Sequence, residues 1–397
     1  MKVLFYNGSL RLGGAEKILV EILKGLNKKD KEIDLLISDE ISEDNFFEKD
    51  IPDEVKLTYL IPENLILKTM KYKKKKKNLY NKIMYNYCMY KEQNEKKRNL
   101  KKFLNHKEYD VVIDFDMGLS KNIDEVCAKK KIAWIHSPID SWYKKEDKIK
   151  RLGKRLKKYD ILVTICNDLK EKTGILYPFL KNKLVRIYNP FDIEKIKELA
   201  TISEGLEDKK IKYLREDYIV AVARLDNYSK DFYTLLKGYK KAKVFGIKEK
   251  LFILGEGEEK EQILKWIEEL DLQDEVILMG GQRNPYVWMK NSQLFVHSSR
   301  FEGLPTVLIE AMICGTVVVS SDCPTGPREI LKNGEYGKLY PVGDFNKLGE
   351  ILIEMLKEKK KIDEFKEKLE LRIQDFSKES SIRSIEKILR QDEANGK

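Results

Sequence analysis

The sequence predicts an α/β protein built of two Rossmann-like, doubly wound domains that face a central cleft. Short apolar, β-branched runs alternate with helical patterns along most of the chain, as expected of parallel strands covered by helices on both faces. The 397 residues suffice for two α/β domains, each with its own core. The alternation breaks at Asn189-Pro190, where a strand stops and a polar helix and a charged stretch precede a fresh strand.

In the first half the expected strands are Val3–Tyr6, Ile33–Ile37, Val111–Phe115, Ile132–Ile135, Ile161–Ile165 and Leu184–Tyr188. In the second half they are Tyr218–Ala223, Leu251–Leu254, Val276–Met279, Leu294–His297 and Thr316–Ser320. This gives a first domain over residues 1–189 and a second over 190–377, with a last helical stretch, 378–397, able to pack back on the first. Open α/β sheets bind ligands at the carboxyl ends of their strands, so two facing sheets place a site on each wall of a cleft.

Apolar residues make up 42% of the chain and charged residues 36%, which points to a soluble globular protein. No apolar run approaches the roughly 18 residues of a membrane-spanning helix, and the opening MKVLFYNGSL reads as a first strand rather than a signal peptide. The five cysteines are scattered and never spaced as CxxC, as expected of reduced thiols in the cytoplasm. With only three histidines, a His-rich metal site is also disfavoured. Fourteen Lys/Arg against two Glu between Lys68 and Lys102 give a local +12 within a total of +11. The basicity belongs to one segment, unlike the spread charge of a general nucleic-acid binder.

The most informative stretch runs from Ser298 to Leu331, SSRFEGLPTVLIEAMICGTVVVSSDCPTGPREIL. A loop after a strand leads into a helix from about Pro305 to Cys314, stopped by Gly315. The amides of Gly303, Leu304, Thr306 and Val307 then form the positive end of a helix dipole, suited to a diphosphate. Glu310 lies in an otherwise apolar run, where a buried carboxylate needs a partner such as ribose hydroxyls. Glu302 precedes the helix and can reach toward a sugar. The stretch resembles the signature of family 4 retaining glycosyltransferases, which have the two-Rossmann architecture called GT-B. The run Cys323 to Glu329 resembles bacterial members that extend lipid-linked or surface polysaccharides.

That resemblance implies a nucleotide-sugar donor, most simply a UDP-sugar, a glycan or lipid-linked acceptor, and no metal or other cofactor. In AVARLDNYSKDFYTLL, Arg224 and Lys230 resemble the family's Arg–Lys pair, two fixed cations that stabilise a leaving diphosphate. Gln282 and Arg283 fall where relatives hold the base, and plain loop residues remain the competing reading. His136, after a buried strand, matches a histidine that relatives place beside the transferred sugar; the plainer reading is a histidine capping a strand end. Glu302, His136, Arg224 and Lys230 thus make up the implied catalytic set. Gly13-Gly14 opens the first helix, where the Gly14 amide can approach a phosphate or the donor sugar.

LFILGEGEEKEQI reads as a structural glycine turn near the ligand, since its acidic residues would repel a diphosphate. Asp114-Phe115-Asp116 has the D-x-D form of a metal-binding motif but reads here as strand-end residues. His106 and His297 read as structural. In the basic segment lysines alternate with Tyr, Met, Leu and Ile, and its core is Lys73, Lys74, Lys75, Lys76 and Lys77. It is either a solvated face or a surface that lies on an anionic membrane. The second reading places the protein in the cytoplasm, peripheral at the inner face of the membrane. A sugar-nucleotide epimerase of the same architecture and a catalytically silent glycan-binding or membrane-binding protein are the competing functions.

Overall fold

Thirteen strands among the described residues form two all-parallel sheets. The computed structural model describes residues 1–11, 13–26, 29–42, 45–75, 78–143, 145–203 and 208–390. Lys76, Lys77 and the 391–397 end of the last helical stretch lie outside the described residues. By its contacts the chain separates into one unit of Met1–Ile165, Lys170–Pro190 and the residues from Ser381 onward, and a second of Cys166–Leu169 and Phe191–Ser380.

In the first unit, β1 (Lys2–Asn7), β2 (Glu32–Asp39), β3 (Lys56–Ile61), β4 (Tyr109–Asp114), β5 (Ala128–Ile135), β6 (Ile161–Thr164) and β7 (Leu184–Arg186) lie in the order β3-β2-β1-β4-β5-β6-β7. The order reverses between β1 and β4, which makes the carboxyl ends of these strands the switch point where such sheets bind ligands. The C-terminal helix Lys378–Arg390 packs on this unit through buried charge. The Lys31 ammonium meets Glu386 at 2.9 Å. Buried Lys130 of β5 donates to the carbonyls of Ile388 (3.0 Å) and Leu389 (3.3 Å). A cation there satisfies the helix's last carbonyls and complements its dipole.

In the second unit, β8 (Tyr218–Val222), β9 (Lys250–Leu254), β10 (Val276–Gly280), β11 (Leu294–His297), β12 (Val318–Ser321) and β13 (Gly337–Tyr340) lie in the order β10-β9-β8-β11-β12-β13. Here the order reverses between β8 and β11. Ile219, Leu251, Ile253, Val296 and Val319 of the sheet pack with Leu235, Leu236 and Tyr239 and with Leu348 and Leu352. Burial of each such side chain contributes about 1.5–3 kcal/mol. Gly238 allows two helices to touch, since a Cβ there would lie 2.7 Å from Leu348 Cδ2.

Eleven of these strands match the periodicity of the sequence, and β3 and β13 do not. The edge strands β7 (LVR) and β10 (VILMG) keep short apolar runs, whereas β3 (KLTYLI) and β13 (GKLY) break theirs with Lys and Thr or with Gly and Lys.

Between β3 and β4 the basic segment forms two helices, Glu63–Lys74 and Leu79–Leu104. The longer one is pinned at Cys88, Leu100 and Leu104, which are buried, by Lys96 donating to the Tyr6 hydroxyl at 2.6 Å, and by Asn99 donating to the Leu60 carbonyl at 2.7 Å. Its first turns expose Leu79, Tyr80, Ile83, Tyr87 and Tyr90.

Candidate active site

The second unit assembles its polar centre where β8 and β11 end. Past β8 the chain turns through residues 223–231, and Asp226 shapes that turn. Its carboxylate accepts from the backbone N–H groups of Tyr228 (3.1 Å) and Ser229 (2.9 Å) and from Arg224 Nε (3.1 Å). Burial works against the Asp226 charge, but the Ser229 N–H and the Arg224 guanidinium hold its carboxyl below the usual range. The turn is stitched to the end of β11: Asp231 N–H donates to the Ser298 carbonyl (3.1 Å) and Arg300 N–H to the Ser229 carbonyl (2.8 Å). Lys230 bridges Ser299 between these bonds.

That stitching brings Lys230 against Glu302. Glu302 Oε1 receives the Lys230 ammonium, the Ser299 hydroxyl at 2.8 Å and His297 Nε2 at 3.2 Å. Burial alone would raise the carboxyl; the Lys230 charge and the His297 contact hold it well below the ordinary glutamate range. It is therefore ionised throughout the physiological pH range. The Glu302 backbone is fixed as well, its carbonyl accepting from the Thr325 hydroxyl. Burial and the neighbouring Glu302 charge push the Cys323 thiol up to about 12, so it is not a nucleophile.

Glycines permit the close approaches. A Cβ at Gly255 would lie 1.9 Å from the Ala223 carbonyl oxygen, and one at Gly257 would lie 2.2 Å from that of Leu225. The Gly-Glu-Gly turn thus buttresses the Arg224 loop. Gly326 has φ +92°, and a Cβ there would meet Pro305 Cδ at 2.5 Å and the Gly303 carbonyl oxygen at 2.7 Å.

The helix Thr306–Ile313 starts at the Pro305 cap, and Cys314 and left-handed Gly315 (φ +80°) end it. Gly303 and Leu304 are buried beside its start, while Thr306 and Val307 of the first turn are partly exposed. The first-turn N–H groups of a helix have no intrahelical acceptor, which leaves them for an anion. Glu310 is 4% exposed, a buried carboxylate in a helix whose Leu308, Ile309, Ala311 and Met312 are buried as well.

Other expected residues have local partners of their own. Arg224, with 69% of its side chain exposed, pairs with Asp226 rather than with Glu302. Gln282 donates to the Met279 carbonyl at its own strand end (2.7 Å), and Arg283 is exposed on the loop that follows. In the first unit Gly14 opens the helix Gly14–Gly25 directly after β1. His136 follows β5, its Nε2 donating to the Phe115 carbonyl at 2.7 Å and its ring edge-on to Phe115. Burial pushes the imidazole down to about 4. It is neutral at physiological pH, and the bond from Nε2 leaves the Nδ1 lone pair as an acceptor.

Asp114 and Asp116 sit at the end of β4. Asp114 is buried and accepts from Leu119 N–H (3.1 Å) and the Tyr159 hydroxyl (2.5 Å); Asp116 accepts from Gly118 N–H (2.8 Å). Burial and the Asp116 charge push Asp114 up to about 8. Among the described residues no group of three or more His, Cys, Asp or Glu could hold a metal ion.

His297, set aside in the sequence as structural, touches Glu302, and Ser299 and Asp226 also contribute. The available signal was spacing: His297, Ser299 and Glu302 all crowd the end of one strand, whereas a histidine concluding an apolar run looks like a buried core residue.

Residues 204–372 match the family described as glycosyl transferases group 1. An uncharacterized glycosyltransferase of Methanocaldococcus jannaschii is 34% identical over 209 residues, 51% of this chain and 50% of that relative, so the match spans about half its length. The N-acetylgalactosamine-N,N'-diacetylbacillosaminyl-diphospho-undecaprenol 4-alpha-N-acetylgalactosaminyltransferase of Campylobacter jejuni is 28% identical over 388 residues, 96% of this chain and 97% of that one. The crystal structure of Anabaena HepE in complex with UDP superposes with a TM-score of 0.74 at 16% identity, covering 98% of this chain and 100% of that one. The shared fold is the GT-B architecture of two Rossmann-like domains.

Proposed function

We propose that this chain is a glycosyltransferase, on the match of residues 204–372 to the family described as glycosyl transferases group 1, and that it moves a sugar from a UDP-sugar to a lipid-linked or surface-polysaccharide precursor, with retained configuration and without a metal ion. The observation that carries this reading is the contact of Lys230 with Glu302 at the switch point of the second sheet. A cation for the leaving diphosphate stands beside a carboxylate for the sugar. The relative that acts on an undecaprenol-linked sugar supports the acceptor class, and the UDP held by HepE supports the donor class.

In this scheme the amides at Gly303, Leu304, Thr306 and Val307 receive the diphosphate, Glu310 accepts from the ribose hydroxyls, and Gln282 and Arg283 border the base. Arg224 and Lys230 neutralise the charge that grows as the bond from the sugar's anomeric carbon to phosphate oxygen breaks. Glu302 orients the sugar, and in the first unit the Gly14 amide donates to a ligand oxygen while the neutral His136 accepts from a hydroxyl at Nδ1. The acceptor oxygen bonds the anomeric carbon on the face the diphosphate leaves, and its proton passes to a phosphate oxygen. No protein nucleophile is required, and positioning and electrostatics supply the rate.

The exposed lysines and aromatics at the start of the Leu79–Leu104 helix, together with Lys73, Lys74 and Lys75, support a peripheral seat on an anionic cytoplasmic membrane face. Incubation with UDP-sugars and a polyprenyl-diphosphate-linked acceptor in excess EDTA tests the reading. Free UDP and a glycosylated product with the donor's anomeric configuration are expected. Rescue of an EDTA-dead reaction by Mn²⁺ would overturn metal independence. Conversion of the donor without UDP release would point to the epimerase.

A further inference from the structure

The first unit carries a second cationic feature that the transfer scheme does not use. Lys121, Tyr143, Lys148, Arg151, Leu152 and Arg155 line a cavity of about 240 Å³. Four of the six are cations, and no carboxylate is among them. The helix Glu146–Leu156 supplies most of the wall. Its residues 148, 151, 152 and 155 stand at i, i+3, i+4 and i+7, which puts them on one face.

The acidic residues of this helix serve elsewhere. Glu146 pairs with Lys150 at 2.7 Å, at positions that face away from the cavity. Among the described residues none of the four lining cations forms an ion pair, although most of the chain's charge-rich helices are laced with them. Arg151 is pre-set: its Nε donates to the Asp147 carbonyl at 3.1 Å, which leaves the terminal nitrogens of the guanidinium to bind. Leu152 is buried and forms an apolar floor, and Tyr143, 37% exposed, adds a ring and a hydroxyl at the wall.

Four like charges held around one hollow repel one another, and an oxyanion relieves that repulsion. Two guanidinium groups match phosphate oxygens in fork geometry, and two ammonium groups add point charge. The cavity is smaller than the roughly 300–1,000 Å³ of sites for drug-sized ligands, so it suits a phosphate or diphosphate group rather than a whole glycan. We propose that this pocket is a phosphate-binding site of the first unit, distinct from the donor-binding residues of the second. The phosphate can be free or can be the head of a lipid.

The test is calorimetric titration of the full chain with inorganic pyrophosphate in the presence of saturating UDP, which occupies the donor residues. Wild-type protein is expected to take up one pyrophosphate, with affinity falling as salt rises. The double variant R151Q/R155Q should lose about tenfold per guanidinium, while K150Q on the opposite helix face should match wild type. Geranyl diphosphate separates the sources: tighter binding than pyrophosphate assigns a lipid-borne phosphate, and equal binding a free one. No uptake by wild type under UDP, or equal uptake by R151Q/R155Q, would overturn the proposal. UDP binding, measured alone in the same preparations, judges the donor reading separately, because it should be unchanged in R151Q/R155Q.

Discussion

The Lys230 ammonium and the Glu302 carboxylate form an ion pair in the interior of the second unit, with 16% and 15% of the two side chains exposed. The same carboxylate oxygen also takes the Ser299 hydroxyl and His297. The pair is prebuilt, so a donor arrives at groups that need little reorganisation.

Lys230 and Arg224 should therefore behave differently when removed. Lys230→Met leaves Glu302 buried without its counter-charge, at a cost of about 3–5 kcal/mol. Arg224 is exposed, so Arg224→Ala should change folding by no more than about 0.5 kcal/mol while lowering kcat by about 10²-fold. Urea unfolding and steady-state kinetics on both variants check this. The depressed Glu302 carboxyl contributes stability that is present above its ordinary value of 4.5 and lost as pH falls below it. That acid slope should flatten in Lys230→Met.

Glu310 and Glu302 should separate kinetically. A carboxylate that meets the ribose binds ground and transition states alike, so Glu310→Ala should raise the donor KM with kcat nearly kept. Glu302→Gln retains the shape but loses the charge beside the breaking bond, and should mainly slow turnover. Donor Kd from calorimetry and kcat from UDP release test the split. Equal, small effects on both parameters from both changes would sink the assignment.

His136 should leave no titration near 6.5 in the activity profile, because burial holds it down to about 4. For a histidine with a depressed value, the unfolded chain takes up the proton first as pH falls. The stability linked to the neutral ring is thus present above 6.5 and lost between 6.5 and 4. His136→Gln should be less sensitive than wild type across that window in thermal unfolding at matched ionic strength. A kcat/KM limb near 6.5 that vanishes in His136→Gln would show that the ring titrates after all.

What could be read in the sequence divides along physical lines. Interior strands such as β1 and β8 are buried on both faces, and their apolar runs mark them; β3 and β13 interrupt theirs with polar residues or glycine and escape, while the edge strands β7 and β10 keep theirs. The Glu302–Glu310 stretch was legible because a helix start, a glycine stop and a buried carboxylate leave local marks. The His297 contact was not, although Glu302 is only five residues on, because a histidine that closes an apolar run reads as a core residue. The basic pocket was hidden because Lys121 and the Glu146–Leu156 helix meet only in the folded unit.

The basic segment yields the last prediction. Lys73, Lys74 and Lys75 are exposed at the end of one helix, and Leu79, Tyr80, Ile83, Tyr87 and Tyr90 are exposed on the next. Lysines attract anionic headgroups at about 1 kcal/mol each when well placed, and tyrosines suit the headgroup layer. Replacing Lys73 through Lys77 with Gln should sharply reduce co-sedimentation with anionic vesicles and leave UDP binding intact. Salt should weaken the wild-type interaction, since exposed charges are screened within about 10 Å at 0.1 M. Tyr80→Ser with Tyr90→Ser should weaken binding as well but leave its salt dependence, because that change removes apolar contact rather than charge. Wild-type protein that stays in the supernatant with anionic vesicles at low salt would end the membrane reading. The lysines would then be a solvated face, and the acceptor would be sought among soluble glycans.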